Sequence, residues 1–284
     1  MLYMLEYFVE FPYVLPVALF FIIGAIVGSF LNVIILRHEK GEQVVKGRSH
    51  CMSCGKSLTW HELIPVFSFL FQFGRCRECR AKLSLQYPLV EIGTGTLFVL
   101  VFFHFSVYSH AMPVWVLGMF LLHLAIWSLF MVITVYDIRT KLIPNRFSYT
   151  LAGLAFFALF LGEQSFILPT LSEVVAGTAL FLPFYVLWKV SDGRWLGLGD
   201  GKLALGIGWF LGLTLGGTAV LFAFWIGAGV SLLYIFSQRL YARFSMKRCG
   251  EALTLKSEIP FGPFLVLGTL IVYITQFNMY TYLL

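Results

Sequence analysis

The fold of this chain is decided by residues 113–136, which read PVWVLGMFLLHLAIWSLFMVITVY and contain no Asp, Glu, Lys or Arg. A helix that crosses a bilayer needs about 20 consecutive, mostly apolar residues, and this segment is long enough. Similar runs occur on both sides of it, and they are continuous where barrel strands would alternate. They predict about eight transmembrane helices, at residues 14–36, 88–108, 113–136, 147–162, 171–189, 203–213, 214–236 and 261–283. The two segments within 203–236 are either two helices or one broken helix.

The composition supports the same fold class. Of the 284 residues, 59% are hydrophobic and 12% are charged, and the mean hydropathy is +0.86. A soluble globular domain carries about 25% charged residues, so this chain could not cover a water-facing surface. Disordered, collagen-like and disulfide-scaffold classes are excluded by the high apolar content and by only 5 cysteines. We therefore predict an all-α polytopic membrane protein in contact with the lipid bilayer.

The basic residues predict the orientation of the chain. All 20 Lys and Arg lie in four polar segments, residues 37–87, 138–146, 189–202 and 239–256, which eight spans would put on one side. Loops rich in Lys and Arg remain in the cytoplasm, so both termini are expected on the non-cytoplasmic side. The net charge of +6 is thereby explained by topology, and no nucleic-acid partner is inferred.

The polar segment 37–87 contains two paired cysteine motifs, Cys51-x-x-Cys54 and Cys76-x-x-Cys79. This spacing is typical of a tetrahedral zinc site formed by four thiolates. Two disulfides are the alternative, but they are disfavoured in a cytoplasmic loop, and a thioredoxin-like redox pattern is absent. With four protein ligands the zinc would be structural, so the segment is predicted to be a small zinc-binding cytoplasmic loop domain.

Three aspartates occur in the chain, and two of them are expected at the same membrane face. Asp137 ends the third span and Asp200 begins the sixth, within Gly197-Leu-Gly-Asp200. Ionisable groups at membrane depth are costly, and two neighbouring carboxylates that share a proton can hydrolyse a peptide bond without a metal. The alternative is that each aspartate caps a helix or pairs with a nearby Lys or Arg. Asp192 is interpreted as a solvated loop residue.

Several motifs resemble those of the bacterial type IV prepilin peptidases. The motifs are Gly28-Ser-Phe-Leu-Asn-Val-Ile-Ile-Leu-Arg37, the two cysteine pairs, Trp60-His-Glu-Leu-Ile-Pro-Val66, Gln86-Tyr-Pro-Leu-Val-Glu91, Asp137 with Pro144-Asn145, Gly-Leu-Gly-Asp200 and Ile259-Pro-Phe-Gly-Pro263. Their order and spacing are similar to the family over roughly residues 24–268. Departures are mild, such as Met52 where the family often has Pro, and none changes a cysteine or an aspartate.

The resemblance implies an intramembrane aspartyl protease of the bacterial cytoplasmic (inner) membrane, with catalytic residues at Asp137 and Asp200. The implied substrates are type IV prepilins or type II secretion pseudopilins, whose leader is cut at the cytoplasmic face. The new N-terminal residue is then methylated from S-adenosylmethionine, and the loop that binds zinc through Cys51, Cys54, Cys76 and Cys79 belongs to the bifunctional members.

The implied activities suggest a division of labour along the chain. Residues 14–36 form the first span, residues 37–87 the zinc loop linked to methylation, and residues 88–284 the peptidase core. Methylation is assigned to the region 28–91, where Glu91 is the candidate contact for the methyl donor or the new ammonium. Its alternative role is to pair with a nearby Arg. The competing functions are a transporter or channel with a zinc-stabilised loop, and a non-catalytic scaffold.

Overall fold

The computed structural model describes residues 14–43, 47–105, 114–162, 165–244 and 259–282. This part of the chain is mainly helical, and the polar loop contains two isolated β-bridges. Eight helices occur in it: α1 (Val14–Lys40), α2 (Phe67–Phe71), α3 (Gln86–Phe105), α4 (Val114–Thr140), α5 (Asn145–Ala158), α6 (Leu171–Val190), α7 (Leu198–Phe244) and α8 (Gly262–Thr275). Two 3₁₀ turns, Trp60–Leu63 and Met279–Tyr282, complete the set.

Each predicted span overlaps a helix. The last prediction, 261–283, was too long, because the helix ends at Thr275 and Gln276 adopts a left-handed conformation. Five helices of the described chain, α1, α3, α4, α6 and α7, are long and apolar enough to cross a membrane. Helices α5 and α8 have 14 residues each. At 1.5 Å per residue they measure about 21 Å, which is shorter than the hydrocarbon core. The all-α polytopic fold is therefore confirmed, with two of its apolar helices shorter than a full span.

Helix α7 resolves the ambiguity of residues 203–236. It is one run of 47 residues that is interrupted at Gly212, where φ is 79° and ψ is 177°. This backbone conformation lies in a region that only glycine occupies without strain. A Cβ added to Gly216 would lie 3.5 Å from the Cα of Gly208, whereas residues eight apart in a continuous helix are separated by about 12 Å. Residues 203–236 thus form two helices that meet in a tight turn at Gly212, near the end of the first predicted segment.

The described chain divides into two compact units, and the division falls inside α4. The first unit runs to Val135 and includes Leu161–Ser165, and the second comprises Tyr136–Phe160 and the chain from Phe166 onward. The assignment of methylation to one part of the chain and proteolysis to another remains a prediction.

In the first unit, α1 packs against α3 along a stripe of small residues. A Cβ added to Gly24 would lie 2.8 Å from the Cα of Gly95, and one added to Gly28 would lie 2.8 Å from the Cα of Glu91. Small residues at these positions let two membrane helices approach backbone to backbone, where dispersion contacts accumulate. The first predicted motif, which begins at Gly28, is therefore a packing surface.

In the second unit, α7 is the central helix and packs against α5, α6 and α8. Its contact with α6 is again made by glycine: a Cβ at Gly208 would lie 2.6 Å from the carbonyl oxygen of Ala176. The buried side chains around it are apolar and include Leu151, Leu203 and Leu265, all fully buried. The start of α7, where Asp200 lies, packs against α5 and α6: a Cβ at Gly206 would lie 3.2 Å from the side chain of Leu151, and one at Gly201 would lie 3.1 Å from that of Phe184.

Candidate active site and metal centre

Asp137 and Asp200 both lie in the second unit and both are buried. Asp137 is in the last turn of α4 and is 4% exposed, whereas Asp200 is in the first turn of α7 and is 9% exposed. The charge of Asp137 acts on the carboxyl group of Asp200, so the structure brings the two acids within electrostatic reach of each other. Two buried carboxyl groups that interact in this way cannot both ionise easily.

The N-terminus of α8 holds the carboxyl group of Asp137. Gly262 is the first residue of this helix, and its backbone N–H donates to Oδ2 of Asp137 at 2.9 Å. The first N–H groups of a helix have no acceptor within the helix, and they carry its positive dipole end. The next residue, Pro263, has no N–H group, and the N–H of Phe264 donates back to Phe261. Asp137 therefore satisfies the N–H that the helix itself leaves free.

Only glycine fits at position 262, because the carboxyl group of Asp137 occupies the space that a side chain would need. A Cβ added there would lie 2.7 Å from Oδ2 of Asp137 and 3.3 Å from its carboxyl carbon. Even alanine would push the carboxyl group away from the N–H that orients it.

Ile143 connects the surroundings of the two acids. A Cβ added to Gly199, the residue before Asp200, would lie 2.9 Å from the Cβ of Ile143, and one added to Gly262 would lie 3.4 Å from its Cδ1. One side chain thus lies against both the glycine that contacts Asp137 and the glycine next to Asp200. The Gly-Leu-Gly-Asp sequence therefore permits close packing at the start of α7.

The structure does not favour the alternative in which each aspartate pairs with a basic residue. Within the described ranges neither Asp137 nor Asp200 forms an ion pair. The Nζ of Lys202 instead donates to Oδ1 of Asn145 and lies over the ring of Tyr149. The third acid, Asp192, is exposed in a turn with φ of 50°, as expected for a loop residue.

The four cysteines of the polar loop converge in the first unit. Their sulfur atoms all lie within 4.8 Å of one another, and all four are free thiols. Ligands about 2.3 Å from a tetrahedral zinc are separated by about 3.8 Å, close to the 3.9 Å between the sulfurs of Cys51 and Cys79. The donor set therefore fits zinc with no open coordination position, and it does not fit two disulfides.

The two cysteine pairs are built alike. In each pair the first cysteine is buried and the second is exposed. An isolated β-bridge closes each turn: His50 pairs with Ser57 around the first pair, and Arg75 pairs with Lys82 around the second. The fifth residue of each turn has a positive φ, 72° at Gly55 and 59° at Arg80. The backbone N–H groups of Cys54 and Ser53 lower the pKa of the Cys51 thiol to about 6. A thiol that ionises readily is ready to bind a metal.

A buried acid connects the two cysteine pairs through a lysine. Lys56, in the first turn, lies 3.7 Å from Glu62 and 3.5 Å from Glu78, which belongs to the second pair. The backbone N–H and the hydroxyl of Thr59 both donate to the carboxylate of Glu62 at 2.9 Å. These hydrogen bonds, together with the charge of Lys56, hold the pKa of Glu62 below its usual value. The loop therefore has its own polar core.

Glu91 is buried at the start of α3, where it is hydrogen-bonded to the side chain of Ser29 and to a backbone group of the polar loop. Its Oε2 accepts a hydrogen bond of 2.7 Å from the N–H of Val66. Val66 has φ of 62° and ψ of −53°, and the N–H of Phe67 donates to Pro65, so the three residues form a strained γ-turn. Within the described residues Glu91 forms no ion pair, so the alternative of an Arg partner is not observed.

A second polar group of the α1–α3 interface is Asn32. Its Nδ2 donates to the carbonyl groups of Gly28 and Tyr87, and its Oδ1 accepts from Gln86, each at 3.1–3.3 Å. Arg37, at the end of the same motif, donates to the backbone of Gln43 and Gly47. The polar residues of the first motif thus tie α1 to the loop and to the start of α3.

Two residues of these sites were not found from the sequence. Gly262 lies within the motif of residues 259–263, and Val66 is the last residue of the motif of residues 60–66, but neither motif singles it out. Both act through a backbone N–H, which every residue except proline possesses. The proline that follows Gly262 is the only sequence signal that marks it as the start of a helix.

Comparison with known proteins identifies similar sequences over most of the chain. Residues 22–105 match the bacterial peptidase A24 N-terminal domain, and residues 122–232 match the type IV leader peptidase family. A Bacillus subtilis protein named prepilin leader peptidase/N-methyltransferase is 31% identical over 260 residues, which are 90% of this chain and 93% of that protein. A Myxococcus xanthus protein of the same name is 36% identical over 76% of this chain and 62% of its own length. Another, from Vibrio cholerae, is 29% identical over 90% of this chain and 95% of its own length. No solved structure matches significantly.

The metal site can be tested by composition. Purified protein should contain about one zinc per chain, and Cys76→Ser should lose most of it because a three-thiolate site binds zinc more weakly. Limited proteolysis should then cut residues 48–82 faster than in the wild type. The matched control is Cys249→Ser, which changes the fifth cysteine outside the described residues and should keep its zinc. Protein that lacks zinc and carries disulfides at the four cysteines would contradict the site.

Proposed function

Because this chain belongs to the type IV leader peptidase family, we propose that it removes the leader peptide from type IV prepilins and N-methylates the new N-terminal residue. The observation that carries the proteolytic part is the pair of buried, interacting carboxyl groups of Asp137 and Asp200, one of which is oriented by a helix N-terminus. The protein is a multi-pass protein of the bacterial inner membrane. The cut is proposed to occur at its cytoplasmic face.

The two aspartates suit peptide hydrolysis when they share one proton. The ionised carboxylate takes a proton from a water molecule, whose oxygen bonds to the carbon of the scissile peptide. The protonated carboxyl group donates a hydrogen bond to the carbonyl oxygen, where negative charge develops. When the carbon–nitrogen bond breaks, the proton taken from water passes to the nitrogen. The products are a leader with a terminal carboxylate and a mature chain with a free terminal amine.

Gly262 contributes to this mechanism as a positioning residue. Its N–H fixes one oxygen of Asp137, so that carboxyl group is limited to one orientation before the substrate binds. Preorganised groups lose no free energy to reorientation at the moment of reaction. The buried position of both acids also keeps bulk water away from them.

The second reaction is proposed to use S-adenosylmethionine, which supplies a methyl group from a sulfonium centre. The amine that receives it exists only after cleavage, so the two reactions are ordered. Both the sulfonium and a terminal ammonium are cations, and Glu91 is a buried carboxylate without an ion-pair partner in the described chain. A buried charge of this kind is complementary to a cation. Glu91 is therefore proposed to contact the donor or the new ammonium.

The zinc loop is proposed to have a structural role in the methylating part of the protein. Its metal would be enclosed by four thiolates, so it offers no position for a substrate. The loop is also joined to α3 through the Val66–Glu91 hydrogen bond. Pseudopilins of type II secretion are proposed as further substrates because the same leader chemistry is required. A transporter or channel is not favoured by the family match.

The catalytic pair is tested by replacing each acid with its amide. Asp137→Asn and Asp200→Asn should each reduce leader removal by about 100- to 10,000-fold, because the amide can neither accept nor deliver the catalytic proton. Purified variants would be incubated with a prepilin, and products measured by mass spectrometry. Asp192→Asn is the matched control and should cleave at the wild-type rate. Full activity in either of the first two variants would refute the pair.

The helix N-terminus is tested by adding one carbon. Gly262→Ala places a Cβ against the carboxyl group of Asp137 and should lower kcat for cleavage by about 100-fold, as expected for a misplaced catalytic group. KM should change little, since the leader does not depend on this contact for binding. Gly153→Ala, in α5 with open space around it, is the control and should leave both constants unchanged. Normal turnover of Gly262→Ala would show that Asp137 needs no such orientation.

The role of Glu91 is tested by a pair of substitutions. Glu91→Gln retains an oxygen that can accept the Val66 N–H but removes the charge. It should leave leader removal intact and lower methylation of the mature N-terminus by about 100-fold, the size expected for losing an electrostatic contact.

Glu91→Ala removes the hydrogen bond as well, so it should also expose residues 63–73 to proteolysis. Mass spectrometry of the processed pilin gives both readouts. Normal methylation by Glu91→Gln would restrict Glu91 to holding Val66, and loss of cleavage with retained methylation would reverse the proposed division of labour.

A further inference from the structure

Residues 63–73 of the polar loop, here called the aromatic segment, expose an unusual amount of apolar surface. Phe67 is 60% exposed, Phe71 75% and Phe73 90%. Leu63, Ile64 and Leu70 are exposed as well. A cluster of exposed apolar residues of this kind within one short segment marks a site that contacts another apolar phase or partner.

The hydrogen bond between Val66 and Glu91 determines the depth of this segment. Helix α3 has 20 described residues, and these measure about 30 Å, the thickness of the hydrocarbon core. Its first residues therefore lie near the edge of that core. Glu91 follows Gln86 by five residues, which places it about 7 Å further along the helix. Because Val66 donates to Glu91 at 2.7 Å, the aromatic segment begins at the depth of the first turns of a membrane helix.

Most of the backbone N–H groups of the aromatic segment already have an acceptor in the protein. The N–H of Val66 donates to Glu91 and that of Phe67 to Pro65. The N–H groups of Ser68, Leu70, Gln72 and Phe73 donate to carbonyl groups of the segment, and so does the N–H of Gly74, the residue that follows it. Backbone in contact with lipid must satisfy its polar groups internally, since the hydrocarbon offers no partner. The segment therefore meets much of this requirement, which suits a position in the interface of the bilayer.

Basic residues follow directly after the segment. Arg75, Arg77, Arg80 and Lys82 are all exposed. An exposed apolar face flanked by Lys and Arg is typical of elements that lie in the interface of a bilayer with anionic lipids. Phenylalanine side chains reach the acyl boundary, while arginine extends its charge to the phosphate groups.

We infer that residues 63–73 form an interfacial element whose exposed aromatic and aliphatic side chains insert into the headgroup–acyl boundary of the bilayer. The strained turn at Val66 and the carboxylate of Glu91 hold the element at that depth. The zinc loop is then attached to the membrane surface by lipid contact as well as by its two flanking helices. The occupant of the apolar face is phospholipid, with its anionic headgroups on the arginine side.

The inference is tested with the full chain in nanodiscs of phosphatidylethanolamine and phosphatidylglycerol. These contain a phospholipid with a diazirine at the glycerol end of its acyl chain. After photolysis and digestion, the peptide that contains residues 63–73 should carry label at a level similar to lipid-facing peptides of α6. It should exceed the peptide around Ser53 by about tenfold, as expected for residues inside and outside the interface.

Two variants test whether the labelling depends on the exposed aromatic side chains. Phe71→Ser combined with Phe73→Ser should lower labelling of the segment by about tenfold, because two of its most exposed apolar side chains are lost. Zinc content and labelling of α6 should not change, which shows that the loop and the bundle remain folded. Met52→Ser, an exposed apolar residue of the first cysteine pair, is the matched control and should leave the labelling as in the wild type.

Three outcomes would overturn the inference. The first is the absence of label on residues 63–73 in nanodiscs while α6 is labelled. The second is label that persists unchanged in the double variant. The third comes from a variant with a photoreactive phenylalanine at position 71. If this residue cross-linked to an added prepilin or to a second copy of this chain and not to lipid, the apolar face would bind a protein partner.

Discussion

A polar group within a bilayer has no water to bind, so each one in this protein needs its partner in the chain. Two acids show how this constraint shapes the structure. Asp137, at the end of α4, accepts the N–H of Gly262 at the start of α8, and Glu91, in α3, accepts the N–H of Val66 in the polar loop. In both cases the donor is a backbone group that local structure leaves without an acceptor. The buried acids thereby determine where a helix begins and where a loop is attached.

The same constraint explains the distribution of glycine at the proposed active site. A carboxyl group can accept a backbone N–H only if the donor residue allows it to come close, and at Gly262 even a methyl group would occupy the space of Oδ2. Gly199 is constrained in the same way by Ile143. The glycines are needed because side chains fill the positions beside the acids, and the backbone at these two residues is ordinary in its dihedral angles. Packing, and not conformational freedom, thus accounts for these two glycines.

The polar loop is stabilised by different means because it is too small to form an apolar core. Its polar centre consists of four thiols, two of them buried, and the Lys56–Glu62 pair, and many of its apolar side chains, such as Phe71 and Phe73, are exposed. In a water-soluble domain this arrangement would be unstable, since apolar surface in water is unfavourable by about 25 cal/mol per Å². Next to a membrane the exposed apolar face is favourable, because contact with lipid removes its aromatic residues from water. The proposed zinc site and the proposed lipid contact therefore stabilise the same small element.

Much of this architecture could be predicted from residue patterns. The apolar runs located the helices, because the thickness of a bilayer sets their length. The spacing of Cys51, Cys54, Cys76 and Cys79 located the metal centre, since a tetrahedral site restricts the order of its ligands. Asp137 and Asp200 were recognised because charged residues are rare in such runs. These features are carried by the identity of side chains within one segment, and a sequence displays them directly.

The break at Gly212, the partner of Asp137 and the partner of Glu91 were decided by tertiary structure. Residues 203–236 are apolar on both sides of Gly212, and glycine is tolerated in membrane helices, so the pattern alone did not distinguish a broken helix from two helices. Gly262 lies 125 residues from Asp137 along the chain. Its contribution is a backbone N–H, which is chemically the same at nearly every position. Tertiary packing selects which N–H group meets which carboxylate, and that selection leaves no mark in the residue type.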